Sequence, residues 1–120
     1  MILIPVSTGE LYDKISILEI KKEKGLEVDK ELDLLYEISE KLENNVIIKY
    51  LREQLHIVNI QIWNNENDKR SCENDKRFDS EFVSFARAVY ILNDQRAKIK
   101  RQINDITNSE ITELKQHEKY

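Results

Sequence analysis

The residues of this chain that could do chemistry are charged groups set on helix faces that are otherwise apolar. Asp13 falls between Ile17 and Ile20 on a wheel of about 100° per residue, so burying that side desolvates a carboxylate unless a cation comes with it. Arg96 interrupts an apolar stripe that runs from Phe78 to Ile106. Around it Arg87, Tyr90, Asn93, Asp94 and Lys100 make a polar strip, in which Tyr90 with Asp94 and Asp94 with Lys98 can pair one turn apart. Glu10 and Lys14 flank Asp13 near a helix start, where a negative charge complements the helix dipole. A charge on a packing face either finds a partner or marks a site. Two arrangements follow. One is a structural pair, Asp13 with Arg96 or Arg87, that fixes helix register as buried polar positions do in coiled coils. The other joins Glu10, Asp13 and Lys14 to Arg87, Arg96 and Lys100, the cations clamping an anionic small molecule or phosphate and a carboxylate acting as acid, base or metal ligand. The first is the simpler expectation.

Other catalytic and cofactor signatures lack their parts. Gly9 and Gly25, the only glycines, cannot build a phosphate-cradling loop. His56 and His117 have no ligand or triad partner at motif spacing, and His56 reads as a helix-surface histidine. Glu37-x-x-Glu40 and Glu10-x-x-Asp13 echo the ExxE and ExxD pairs of all-α nucleotide pyrophosphohydrolases, but in the reverse order and in a chain with 23 acids. No catalytic residue, metal ligand or cofactor is therefore assigned.

The elements that must position these groups are helices. Residues 1–6 read as a short extended lead, because Pro5 excludes the helical region for Ile4. Ser7 with Glu10 fits a capping box, Leu11, Ile15 and Leu18 continue a helix from Thr8 to Lys24, and Gly25 ends it. That helix has two apolar sides, so it is either packed between neighbours or turned toward another copy of the chain. Asp29 is expected to cap a second helix carrying Leu32, Leu35, Ile38 and Leu42, with a break or kink at Asn44-Asn45. A third runs from Val46 to Trp63 with a broad apolar arc, leaving Arg52, His56, Asn59 and Trp63 on the remaining strip. Residues 64–77 form a polar helical tip in which Glu66-Asn67-Asp68-Lys69-Arg70 recurs one heptad later as Glu73-Asn74-Asp75-Lys76-Arg77. Asp79 or Ser80 caps the last long helix, whose stripe follows alternating spacings of four and three until Thr107-Asn108-Ser109 breaks it. Residues 109–120 are expected to fray.

The expected fold class is all-α: one domain over 1–120, an elongated antiparallel bundle or hairpin of three to four helices with an extended N-terminal lead. A composition of 35% charged and 40% apolar residues, with two glycines and one proline, excludes turn-rich sandwiches and barrels as well as disordered polyelectrolytes. The lone Cys72 cannot form an intrachain disulfide, and no stretch has the makings of a signal or membrane span, so the expected compartment is the cytoplasm. A net charge of −4 argues against nucleic acid, and Asp94 and Asp105 dilute the basic face made by Arg96, Lys98, Lys100 and Arg101.

Two stretches carry a resemblance, Val6 to Lys24 and Ala86 to Asn104. Together they resemble a family of small helical proteins, a domain of unknown function, found in bacteria and in phages. The positions matching its pattern are Gly9, Glu10, Asp13, Lys14 and Glu19, then Asn59 and Trp63, then Arg87, Tyr90, Asn93, Asp94, Arg96 and Lys100. The polar stretch after Trp63 departs from it. The resemblance implies no activity. The leading functional expectation is thus a non-enzymatic helical interaction or accessory protein that self-associates, as a homodimer or with a further protein partner, because two helices present more apolar surface than a monomer readily covers. The competing expectation is a small all-α enzyme or anionic-ligand-binding protein built on the carboxylate and arginine group.

Overall fold

A computed structural model describes residues 1–109, and among these the chain forms four helices and no strand: α1 (Thr8–Glu23), α2 (Asp29–Ser39), α3 (Val46–Asn74) and α4 (Ser80–Ile106). Residues 110–120, with His117 and all of the expected frayed tail except Ser109, lie outside the described residues. The helix boundaries follow local chemistry. Ser7 caps α1 by accepting from the Glu10 N–H at 3.0 Å. Asn45 caps α3 by accepting from Ile48 at 2.9 Å, so the expected break at Asn44-Asn45 is the start of a new helix. Asp79 caps α4 by accepting from Glu81 and Phe82. Asp29, the expected cap of α2, is instead its first helical residue, and Val28 precedes it without a side-chain cap. The Asp29 carboxylate pairs with Lys22 at 3.0 Å across the turn that follows α1.

α1, α3 and α4 each end in the same device. A residue with positive φ (Gly25, Lys76 or Asn108) turns the chain, and the next N–H bonds back to a carbonyl five residues earlier, as in Leu26 to Lys21, Arg77 to Cys72 and Ser109 to Asn104. The polar tip is therefore the end of α3 and the turn beyond it. Glu66 to Arg70 stay helical, whereas the second copy of the pentapeptide leaves the helix through Asp75 and Lys76.

α3 and α4 form an antiparallel hairpin joined by residues 75–79, and theirs is the most extensive helix pairing in the fold. At about 1.5 Å per residue, α3 accounts for most of the 47 Å long axis. α1 lies against the open end of the hairpin, touching both α3 and α4, and α2 packs on α1. The core sits there, with Leu11, Ile15 and Leu18 of α1 meeting Ile48, Leu51 and Leu55 of α3 and Ile103 of α4. Leu32 is the one buried residue of α2, which makes it the anchor of that helix. Leu32→Ala would cost about 2–5 kcal/mol. The second apolar side of α1 is covered within the chain: Ile20 is buried and Ile17 half-buried, and Ile48 of α3 is likewise fully enclosed.

α3 is turned differently from the sequence expectation. Its strip of Arg52, His56, Asn59 and Trp63 does not face water but α1, while Val46, Tyr50, Ile57 and Ile60 of its apolar arc are exposed. The reason is the polar content of α1. Once Asp13 and Ser16 are buried, the facing side of α3 must supply hydrogen-bond partners.

Candidate functional site

Two short stretches of sequence build the site. Gly9 allows α1 and α4 to approach: a Cβ there would lie 2.6 Å from the Lys100 carbonyl oxygen and 3.0 Å from Asn104 Oδ1. In place of a side chain, the Gly9 N–H donates to Asn104 Oδ1 at 2.7 Å. Thr8 N–H donates to Ser109 Oγ at 3.2 Å, so Ser109, expected in the fraying tail, docks on the start of α1. Two orphan donors of the α1 N-terminus are satisfied in this way by the end of α4.

This approach brings Lys100 over the first turns of α1. Its Nζ lies 2.6 Å from Glu10 Oε2 and 3.4 Å from Asp13 Oδ2. Lys14 adds a longer contact to Glu10 at 3.6 Å. Burial alone would raise the Glu10 carboxyl, but the Lys100 hydrogen bond and charge, with Lys14 behind them, bring it below its ordinary value of 4.5. Glu10 thus gives its carboxylate to Lys100 and Lys14 and does not return it to Ser7, so only the hydroxyl half of the expected capping box forms.

From Asp13 a chain of hydrogen bonds runs through the interface to α3. Asn59 Nδ2 donates to Asp13 Oδ1 at 2.9 Å and to Ser16 Oγ at 3.1 Å, and Ser16 Oγ meets His56 Nδ1 at 2.7 Å. His56 borders a cavity of about 540 Å³ between α1 and α3, whose wall also carries Glu19, Lys49 and Glu53. There the Arg52 guanidinium stacks 4.3 Å above the Tyr12 ring, and the buried Tyr12 hydroxyl has no partner. Nearby, Tyr36 of α2 donates to Glu19 at 2.9 Å. Its own burial, then the hydrogen bond and negative charge of Glu19, push its phenol up to about 12.

Of the charged positions singled out in the sequence, Glu10, Asp13, Lys14 and Lys100 come together and the others do not. The partner of Asp13 is Lys100, neither Arg96 nor Arg87; among the described residues no ion pair joins Asp13 to either arginine. Arg87 lies 13 residues before Lys100, roughly 20 Å along α4, beside Val83, Ser84 and Ile91 of its own helix. Tyr90, Asn93 and Asp94 occupy the turns between, Tyr90 exposed and the other two half-buried. Arg96 borders a second cavity with Ile17, Ile20, Asn59 and Trp63. Sequence reasoning missed Ser16, His56 and Asn104. Ser16 and Asn104 are small polar residues on buried faces, and the signal was available in Asp13: a buried carboxylate needs donors from every element packed against it.

Lys100 faces two carboxylates and Lys14 adds a second cation at Glu10, so the charges of the cluster are paired among themselves. These contacts tie α1 to α4 through Lys100 and to α3 through Asn59. No helix among the described residues is long and apolar enough to cross a membrane. No curated protein and no solved structure matches the chain. A family model does, over residues 2–119, and by that match the chain belongs to a family of unknown function, DUF6165.

Proposed function

We propose that the protein is a non-enzymatic helical interaction module that pairs with a second copy of itself through the outward face of α3. The observation that carries this reading is the spacing on that face. Val46, Tyr50, Glu53, Ile57 and Ile60 follow intervals of four, three, four and three over about 21 Å, with Val46 81%, Tyr50 58% and Ile57 48% exposed. Such a seam suits another helix laid along it. α1 and α4 already occupy other sides of α3. A two-fold pairing uses one patch twice and so needs no separate complementary surface. The closed Glu10, Asp13 and Lys100 cluster supports a scaffold role over a catalytic one, since its charges are spent on each other. A reducing compartment such as the cytoplasm suits the single, fully buried Cys72.

Sedimentation velocity at tens of micromolar tests the reading. The expected result is a dimer that Tyr50→Lys with Ile57→Lys converts to a monomer of unchanged helicity, because both side chains lie outside the core. A wild-type chain that sediments as a monomer at these concentrations overturns it.

A further inference from the structure

We propose that residues 1–6 are an apolar arm that packs on a second copy of the chain, completing the interface that the outward face of α3 begins. The inference rests on the self-association reading and adds a second element to that interface. Met1, Ile2, Leu3 and Ile4 are between 68% and 96% exposed, the most exposed run of apolar side chains among the described residues. Val6 is exposed as well, no charged side chain occurs before Glu10, and Pro5 keeps the segment out of the helical conformation. An apolar stretch left this open marks an interaction surface.

Three observations select a second copy as what covers it. The first is area. A stable dimer buries on the order of 800 Å² of each partner through roughly 20–30 residues, and a helix seam holds by itself only over about three to four heptads. The exposed seam from Val46 to Ile60 covers about two heptads, so α3 alone falls short. The second is position. Ser7, buried and capping α1, fixes where the lead leaves the body. Tyr12 lies under the Arg52 guanidinium, and Leu11 shares the core with Ile48 and Leu51, so the start of α1 stands beside the first turns of α3. Six extended residues reach about 20 Å, nearly the length of the exposed seam, and a copy seated on that seam is within the reach of the arm. The third is the backbone. Among the described residues no hydrogen bond engages the N–H and C=O groups of residues 1–6. Lipid hydrocarbon would leave these groups unsatisfied, whereas the rim of a protein interface supplies polar side chains and water. A net charge of −4 is also repelled by anionic headgroups.

Leu3→Ser with Ile4→Ser removes apolar surface that lies outside the core, so helicity is expected to stay unchanged while sedimentation velocity shows a dimer at least tenfold weaker than the wild type. Cys72 is fully buried, so in Leu3→Cys a bimane label attaches at residue 3 alone. Its emission is expected to move to shorter wavelength as concentration rises through the dimer transition, and to show no such move when Tyr50→Lys and Ile57→Lys are added. A dimer as tight in Leu3→Ser with Ile4→Ser as in the wild type, or label emission indifferent to dimerisation, overturns the arm and leaves the α3 face standing. A dimer that survives Tyr50→Lys with Ile57→Lys and is lost in Leu3→Ser with Ile4→Ser overturns the α3 face and keeps the arm. A blue shift of the dilute label on phosphatidylcholine vesicles, with none on dimerisation, assigns the lead to a lipid surface and overturns the proposal. A wild-type chain that is monomeric at tens of micromolar overturns both readings.

Discussion

Lys100 Nζ lies 3.4 Å from Asp13 Oδ2, a lysine 8% exposed against an aspartate 4% exposed, and this pair sets the register of α1 on the α3–α4 hairpin. The sequence points to Arg96 or Arg87 as the partner, but α1 meets α4 at the level of Lys100 and Asn104, where Gly9 lets the two backbones approach. Arg96 sits about 6 Å further along the axis and opens onto a different groove.

Lys100→Met keeps the aliphatic stem and removes the ammonium, stranding Asp13 in a buried site. Removing one member of a buried pair costs about 3–5 kcal/mol, and the surviving Asn59 bond to Asp13 places this case near the lower end. Asp13→Asn in the same background should recover part of the loss. Urea unfolding of the two single variants and the double variant measures the coupling; additive effects would mean that the two groups do not interact.

Stability should fall in acid through Glu10. Its carboxyl is held below the ordinary value, so over the interval beneath about 4.5 the unfolded chain binds more protons than the folded one. The contribution is whole above that value and is lost as pH falls through the lowered one. Urea midpoints taken between about pH 3 and pH 7 should show the decline, and Glu10→Gln should flatten it. A Glu10→Gln profile parallel to the wild-type one would contradict the assignment.

Gly9→Ala opposes two effects of known size. Helix propensity favours alanine by up to about 1 kcal/mol. The new Cβ, however, would stand 2.6 Å from the Lys100 carbonyl, which belongs to helix backbone and cannot swing aside. Overpacking of this kind costs about 1–3 kcal/mol, so net destabilisation is expected, on the order of 4–8 °C in melting temperature for each kcal/mol lost. Calorimetry or thermal circular dichroism reads it, and a raised melting temperature would mean that the helices separate freely.

The duplicated pentapeptide offers a paired test, because its two lysines hold opposite backbone conformations. Lys76 has φ of 55°, which costs a non-glycine residue roughly 1–2 kcal/mol, whereas Lys69 lies inside α3. Lys76→Gly should stabilise by about 1 kcal/mol, and Lys69→Gly should destabilise by about the same amount. Equal signs in denaturant unfolding would place both copies in one conformation.

Local sequence determined where the helices lie and how most of them begin and end. Ser7, Asn45 and Asp79 offer oxygens to unpaired N–H groups, Gly25 permits the positive φ that ends α1, and the spacing of apolar residues forces helical faces over nearly all the described chain. These are interactions among residues a few positions apart, and one sequence is enough to read them. That Asp13 is buried was also legible, from its place between two isoleucines. Only the tertiary structure decided which cation answers it and which side of α3 turns inward. The apolar arc of α3 was readable, but its polar strip packs against α1 because Asp13 and Ser16 demand donors there, and part of the apolar arc is left outside in consequence. Partner choice between helices depends on where they cross, and that crossing is set by the approach of Gly9 to Lys100 and Asn104, contacts spanning about ninety residues that no local spacing encodes.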